Sequence, residues 1–224
     1  SDFEITASLS ESNEIFEGKV TSVIVPKKSQ LFYTFNAKET EQITFAFISP
    51  KMRPFSVYIT NQDKTPSSSN TMKLEPSWIS GYSLDIFKGD PNYCGECHYN
   101  ILIQAHDEDA DVRMVITYPA SQVAMRSGEQ IFDSVLYHKG KCYYMNLYNR
   151  RSDERGIINV VLFSGTIVLQ VYGFQGNPNL KYDETFVPND FTYEIASEKV
   201  IILNHQLLNA LQALNMFSSS NILH

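Results

Sequence analysis

The sequence has little positive charge. Its 224 residues include 18 Lys and Arg against 25 Asp and Glu, which leaves a formal net charge of −7. The pairs Lys27-Lys28 and Arg150-Arg151 are isolated, and solvated turns account for them. Nucleic-acid binding draws on clustered Lys and Arg, because these side chains release counterions from the phosphate backbone. The sequence therefore predicts no nucleic-acid partner.

Long apolar runs and enzyme motifs are missing too. No run approaches the length of about 20 residues that a transmembrane helix needs, so we expect no transmembrane segment. The sequence has no nucleophile elbow, no zinc-protease helix motif and no phosphate-cradling glycine loop. Paired carboxylates that the fold brings together stay open as an alternative. We therefore expect a protein that is not an enzyme and that has no cofactor.

Tryptophan is scarce, but the other aromatic residues are plentiful. A single Trp stands beside 13 Tyr and 14 Phe, and hydrophobic residues make up 43% of the chain. Aromatic rings pack well on a pleated, half-buried surface, so this composition favours strands. Apolar residues alternate at positions 99, 101 and 103, which is typical of a sheet with one buried face. The predicted fold class is all-β.

The clearest internal pattern is a repeat that places Gly18 on Gly128. The same offset places the aromatic residues at positions 32–35 on positions 142–145. A further strand of the second copy is predicted at positions 134–137. Internal repeats decide architecture before local propensity does, although any two β-rich stretches can be slid into partial likeness. The repeat favours two copies of one unit.

Two tandem, jelly-roll-like β-sandwich domains follow from this repeat. We predict an N-terminal arm over residues 1–14, a first sandwich over residues 15–119 and a second over residues 120–224. The second copy departs from the first near its end, where residues 193–203 resemble one strand pair and residues 206–217 have leucines at helical spacing. Either a short C-terminal helix closes a diverged second copy, or strands are missing from it.

Each copy continues with a second pair of strands. In the first copy residues 43–48 and 55–60 flank a turn that contains two prolines. In the second copy residues 157–163 and 166–172 flank Ser164-Gly165, which is a two-residue hairpin signal. The sequence therefore predicts that the strands at residues 157–163 and 166–172 form a hairpin.

The most specific local signal is the pair Cys94 and Cys97, two of the three cysteines. Redox catalysis needs such a pair at the start of a helix, where the macrodipole lowers the thiol pKa, but a strand pattern follows here. A structural disulfide in an oxidising compartment is favoured. Two reduced thiols, a metal half-site and redox catalysis are the alternatives. Cys142 is expected to be a buried apolar residue.

Two further groups of residues are candidates for ligand binding. Asp107, Asp109 and Asp111 could supply oxygen ligands to Ca²⁺, but they lack the spacing of an EF-hand loop, and a solvated hairpin tip is favoured. Trp78 and Tyr82 lie beside a long loop and could stack on a sugar, whereas a lone Trp in a small sandwich is more often core. A glycan- or Ca²⁺-binding module is therefore the alternative function.

The first copy carries a series of elements that together resemble a known family. They are Gly18, the aromatic strand at 32–35, the strand at 55–59, the segment 76–78 and the run 94–99. These elements resemble the pre-peptidase C-terminal type of β-sandwich, especially as it is repeated in large surface proteins of protists of the ciliate type. The resemblance implies an extracellular, non-catalytic module, sometimes linked to Ca²⁺ or sugar.

That resemblance covers about residues 15–118. The second copy matches through Tyr172 or so, and it lacks the cysteine pair.

The N-terminal arm suggests a role in assembly. Phe3, Ile5 and Ala7 alternate with polar residues, which is the pattern of a strand outside the repeat. A sandwich that lacks a strand exposes unpaired backbone, and proteins avoid this state by covering the edge. We predict that the arm adds to the second domain of a neighbouring copy and links subunits into fibres. The predicted function is that of a secreted or cell-surface structural or adhesion protein.

Overall fold

The computed structural model describes residues 13–62, 66, 72–74, 81–126, 128–135, 140–145, 156–162, 165–170, 192–196 and 198–203. Phe3, Ile5 and Ala7 of the arm, Trp78 and the predicted C-terminal helix lie outside these residues. The chain divides into two compact units, Ser1–Asn146 and Leu147–His224. Among the described residues, no helix is long and apolar enough to cross a membrane.

The regular structure of the described residues consists of strands, which confirms the all-β fold class. The strands of the first unit are β1 (Glu14–Ile15), β2 (Thr21–Val25), β3 (Gln30–Asn36), β4 (Gln42–Ile48), β5 (Phe55–Thr60), β6 (Met72–Leu74), β7 (Gly81–Phe87), β8 (His98–Ala105), β9 (Ala110–Thr117), β10 (Gln122–Met125) and β11 (Cys142–Met145). Those of the second unit are β12 (Gly156–Val161), β13 (Ile167–Gln170), β14 (Thr192–Ile195) and β15 (Glu198–Leu203).

Two sheets of the first unit enclose its core. One has the strand order β1-β3-β8-β5-β6 and the other the order β2-β9-β4-β7. Side chains from the inner faces of both sheets form one apolar cluster, as in a β-sandwich. The alternation predicted from the sequence is present, since every second side chain of β8 is fully buried in that cluster. Its largest buried members are Phe35, Phe45, Phe47, Phe55 and Tyr99.

Strand β4 is buried on both of its faces. Phe45 and Phe47 contribute to the core, while Thr44 and Ala46 on the opposite face are each only 1% exposed. A sheet with one solvated face shows polar, exposed residues at every second position. Another part of the chain therefore covers the outer face of the four-stranded sheet.

The hairpin predicted around Ser164-Gly165 is wrong. Strand β12 pairs with β15, and β13 pairs with β14, so the two strands that flank Gly165 belong to different sheets. The first copy behaves in the same way, because β4 lies in the four-stranded sheet and β5 in the five-stranded one. A connection that crosses between the layers of a sandwich lets both strands turn an apolar side towards the core.

The offset of the sequence repeat reappears in the strand pairing. Strands β1 and β3 run in parallel with Glu14 opposite Thr34. Strands β10 and β11 also run in parallel, with Ala124 opposite Tyr144, so both partners are displaced by the offset that relates Gly18 to Gly128. In chain order, although not at this offset, the pairings of β4 with β9 and β5 with β8 correspond to those of β12 with β15 and β13 with β14.

The end of the second copy, for which a diverged copy closed by a helix and a copy with missing strands are the two alternatives, contains strands β14 and β15. Strands β14 and β15 hold the pairing positions that β8 and β9 hold in the first copy. They resembled a single strand pair because they have 4 and 6 residues where β8 and β9 have 8 each. The strand predicted at 134–137 is not present at residues 134 and 135. Residues 136 and 137 lie outside the described residues.

Candidate functional site: the joining segment and the polar row beneath it

The outer face of the four-stranded sheet is covered by residues 120–126, 128–135 and 140–145, here together called the joining segment. Val123 of this segment is fully buried against Ala46 and Val115 of the sheet. These contacts make the joining segment part of the first compact unit, which ends at Asn146. The structure therefore divides later in the chain than the boundary at residue 119 predicted from the repeat.

Phe132 fixes a second point of the joining segment. Its ring lies over Gly81, the first residue of β7, where an added Cβ would be only 2.6 Å from Cδ2 of Phe132. A glycine at this position lets the ring approach the strand backbone closely. The packing of the Phe132 ring on β7 therefore depends on the absence of a side chain at Gly81.

A row of polar side chains crosses the same sheet face. Asp85, Thr44 and Thr117 are neighbours on β7, β4 and β9 in the pairing register. The Asp85 carboxylate accepts hydrogen bonds from Thr44 Oγ1 at 2.7 Å and from Gln42 Nε2 at 2.8 Å. It also accepts one from Ser134 Oγ at 2.7 Å, so the row is tied to the joining segment.

Asp133 is the second carboxylate of this network. Its Oδ1 accepts hydrogen bonds from Lys141 Nζ at 2.7 Å and from Thr117 Oγ1 at 3.2 Å, and its Oδ2 accepts one from the Tyr143 hydroxyl at 2.9 Å. The side chains of Lys141 and Asp133 are only 2% and 5% exposed. Burial and the adjacent Asp133 charge raise the pKa of Tyr143, so the phenol stays protonated and donates to the carboxylate.

This geometry suits a structural clamp. Both oxygens of Asp133 are occupied by donors from the protein, and burial of the Lys141–Asp133 pair closes it to a substrate. A buried charge is tolerated when it is paired and hydrogen-bonded, and breaking such a pair is costly. The network therefore fastens the joining segment to the sheet through side chains from three strands.

The backbone provides a further attachment beside β10. Ala124 N donates to Gly18 O at 3.1 Å, and Gly18 N donates to Ile116 O at 2.9 Å. Gly18 has a φ of +68°, and a Cβ there would lie 2.2 Å from Gln122 O. Only glycine combines this conformation with so close an approach.

Cys94 and Cys97 are joined in a disulfide at one end of the sandwich. The Tyr99 hydroxyl accepts a hydrogen bond from Cys94 N at 3.1 Å and donates to Asn92 O at 2.9 Å. Burial raises the pKa of Tyr99, which keeps this phenol neutral. The cysteine turn is thus held against the core by a buried tyrosine.

The third cysteine, Cys142, begins β11 and is partly buried. Burial raises the pKa of its thiol, which lowers the fraction of reactive thiolate.

The acidic run at 107–111 has structural contacts. Asp109 Oδ1 accepts a hydrogen bond from Lys27 N at 2.8 Å, and Glu108 pairs with Arg53. Among the described residues, no group of three His, Cys, Asp or Glu side chains is placed to share a metal ion. Asp107, Asp109 and Asp111 are spread over a hairpin tip and the start of β9, and Ca²⁺ binding by them stays the alternative.

Tyr82 does not form an open ligand platform. Its ring packs edge to face on Phe55, with the ring centroids 5.1 Å apart, and belongs to the margin of the core. Tyr82 is opposite Phe47 in the pairing of β7 with β4, so it shares the inward side of the sheet. The predicted pairing with Trp78 lies partly outside the described residues.

The pair of Ser56 and His106 was not predicted from the sequence. Ser56 Oγ lies 2.9 Å from His106 Nε2 across 50 residues of chain. Ser56 is only 2% exposed, so its hydroxyl is closed to a substrate, and the contact joins β5 to the end of β8. No spacing rule links two residues that meet only through strand pairing. The same holds for Asp133 and Lys141.

Comparison with known proteins gives a likeness of fold alone. No protein-family model matches the chain, and no curated protein matches it. The structure is similar to the pre-peptidase C-terminal domain of a collagenase from Bacillus anthracis, solved in a 1.0 Å crystal structure. The similarity covers 50% of this chain and 99% of that one, with 10% sequence identity and a TM-score of 0.39.

Proposed function

We propose that this chain is a secreted or cell-surface structural protein, with adhesion as an associated role. In this proposal the chain has two tandem β-sandwich domains, and the N-terminal arm adds as a strand to a neighbouring copy, which builds fibres. The strand pairing that recurs at the repeat offset supports two copies of one unit. The disulfide of Cys94 and Cys97 supports an oxidising compartment, where such bonds persist.

The observation that carries the proposal is the clamp on the joining segment. The residues that follow the first copy are fastened to it by the buried Lys141–Asp133 pair, by Ser134 and by the backbone of β10. The clamp thus makes the joining segment a fixed part of the first unit. A unit enlarged and fastened in this way suits a structural protein.

The strand inventory indicates where the arm would add. In the first copy β9 lies between β2 and β4, whereas among the described strands β15 pairs with β12 alone. The counterpart of β2 at this offset, residues 131–135, packs on the first sandwich through Ile131 and Phe132. We therefore place the arm, with Phe3, Ile5 and Ala7 on one side, along the outer edge of β15.

Light scattering after size exclusion, together with negative-stain microscopy, tests the proposal directly. The full chain should form polymers, and deletion of residues 1–12 should leave monomers. Phe3→Asp with Ile5→Asp should also abolish polymers, because both charges fall on the side of the strand that meets the acceptor. Thr6→Asp is the matched control, since it adds charge to the opposite side.

A full chain that remains monomeric at native concentration would refute the proposal. Monomers that bind Ca²⁺ or glycans would favour the alternative function instead.

A further inference from the structure

A turn near the start of each copy shares a hydrogen bond and a glycine, although Ser127 of the second turn lies outside the described residues. In turn 16–19 the last backbone N–H donates to the first carbonyl at 3.2 Å, and in turn 126–129 the equivalent distance is 3.0 Å. Each turn has a glycine with positive φ at its third position, Gly18 at +68° and Gly128 at +75°. This is the position at which a type II turn requires glycine. The hydrogen bond and the glycine thus recur at positions related by the offset of the repeat.

Turn 16–19 is occupied by β10, the first strand of the second copy. Lys19 forms a parallel bridge with Ala124, and Ala124 N donates to Gly18 O. The carbonyl oxygen of Gln122 fills the space where a Cβ of Gly18 would project. The contact consists of backbone atoms, so it depends on the shape of the turn and little on side chains.

Among the described atoms, the corresponding space beside Gly128 in turn 126–129 is open. Gly128 is exposed, and no described atom lies within 4 Å of the position that a Cβ would take. Its carbonyl oxygen is 3.5 Å from Arg113 Nη1, at the outer limit of a hydrogen bond. A carbonyl oxygen has two acceptor positions, so a second donor can be accommodated.

We propose that turn 126–129 binds β1 of a second copy of the chain, as turn 16–19 binds β10. This inference rests on the proposed assembly and names one of its surfaces. Strand β1 is the counterpart of β10 at the offset, and it is an edge strand of its sheet, with β3 on its other side. The bridge of Lys19 with Ala124 becomes, between molecules, a bridge of Glu129 with Glu14.

Such a contact propagates without closing on itself. It joins two different surfaces of the chain, and heterologous contacts of this kind extend a filament when their rotation does not close a ring. The two glutamates already have hydrogen-bond partners, since Glu129 Oε2 accepts from Arg126 N at 2.8 Å and Glu14 Oε1 accepts from Asn36 Nδ2. Their like charges nevertheless oppose one another, so the contact strengthens as salt screens them.

Gly128→Ala tests this surface, with Gly165→Ala as the matched control. Gly165 has a φ of +78° and, like Gly128, no described atom within 4 Å of a Cβ position. Both substitutions therefore place the same strain on an open turn. We expect Gly128→Ala to weaken assembly by at least roughly tenfold in critical concentration, because the methyl group meets the incoming backbone. Gly165→Ala should assemble like the unmodified protein.

Two further experiments complete the test. One variant should strengthen assembly, and one pair of variants should be cross-linked by a disulfide. Glu129→Lys restores the residue type of Lys19 and sets a cation opposite Glu14, so its critical concentration should fall. In a Cys142→Ser background, chains with Glu14→Cys mixed with chains with Glu129→Cys should form a disulfide-linked heterodimer under oxidation. Neither chain alone should do so.

The outcomes separate the two proposals. Polymers that form equally well with Gly128→Ala and Gly165→Ala, without a cross-linked heterodimer, would overturn this surface and leave the assembly proposal standing. A full chain that is monomeric would overturn both.

Discussion

Lys141 and Asp133 form an ion pair that is almost fully buried, whereas Lys88 and Glu39 form one whose side chains are 60% and 63% exposed. Lys141→Met leaves the Asp133 charge buried without its cation, so it should lower the free energy of unfolding by about 3–5 kcal/mol. Lys88→Met should change the free energy of unfolding little, because both side chains of that pair are exposed to water. Urea unfolding of the two variants makes the comparison. Equal losses would show that burial of the first pair is not what stabilises it.

The sequence predicts the burial or turn position of a single residue well where the residue type alone determines it. Apolar alternation indicated the buried side of β8, and a glycine marked the start of each copy. The clamp could not be predicted, because Asp133 and Lys141 acquire meaning only when Thr117 and Tyr143 surround them. Such groups are assembled by packing and not by spacing along the chain.

The joining segment depends on two elements that approach each other at Gly81. A methyl group from Gly81→Ala would displace the Phe132 ring, because the Cβ would lie 2.6 Å from Cδ2. We expect amides of residues 131–135 to exchange hydrogen faster in this variant, while amides of β8 keep their protection. Gly140→Ala is the control, since its Cβ would meet no described atom within 4 Å. Unchanged exchange at 131–135 would mean that the Phe132 contact does not hold the segment.

Strands were predicted more reliably than their partners. A period of two identifies a strand and its buried face, and it gave most strands of the first unit. It contains no information about which strand lies beside it, so the hairpin predicted at Ser164-Gly165 is wrong. Positive φ occurs after both first strands of these pairs, at Met52 after β4 and at Gly165 after β12.

At the scale of the molecule, the unit that should fold is longer than one copy of the repeat. A fragment of residues 1–119 would leave the outer face around Ala46 and Val115 without its cover, whereas residues 1–146 retain it. We expect the shorter fragment to unfold at a lower temperature and to expose apolar surface to a hydrophobic dye. Circular dichroism and dye fluorescence on both fragments would decide. Identical melting temperatures would show that the cover adds no stability.

At the scale of the whole molecule the all-β class is confirmed, whereas two tandem domains with a boundary at residue 119 stay a prediction. Contacts made by residues after 119 extend the first compact unit to Asn146. A repeat marks where a pattern begins again. It does not mark where packing stops.

The backbone character of the joint bears on how the copies came to differ. The contact of β10 with Gly18 is made by main-chain N–H and C=O groups. Nearly every residue type has both groups. After a duplication, mutation could therefore replace most side chains of the second copy without disturbing the joint, provided that the glycine stayed. Divergence of this kind leaves few identities for a sequence comparison, yet it preserves the register between the copies. A further copy could use the same backbone contact and would need no new interface.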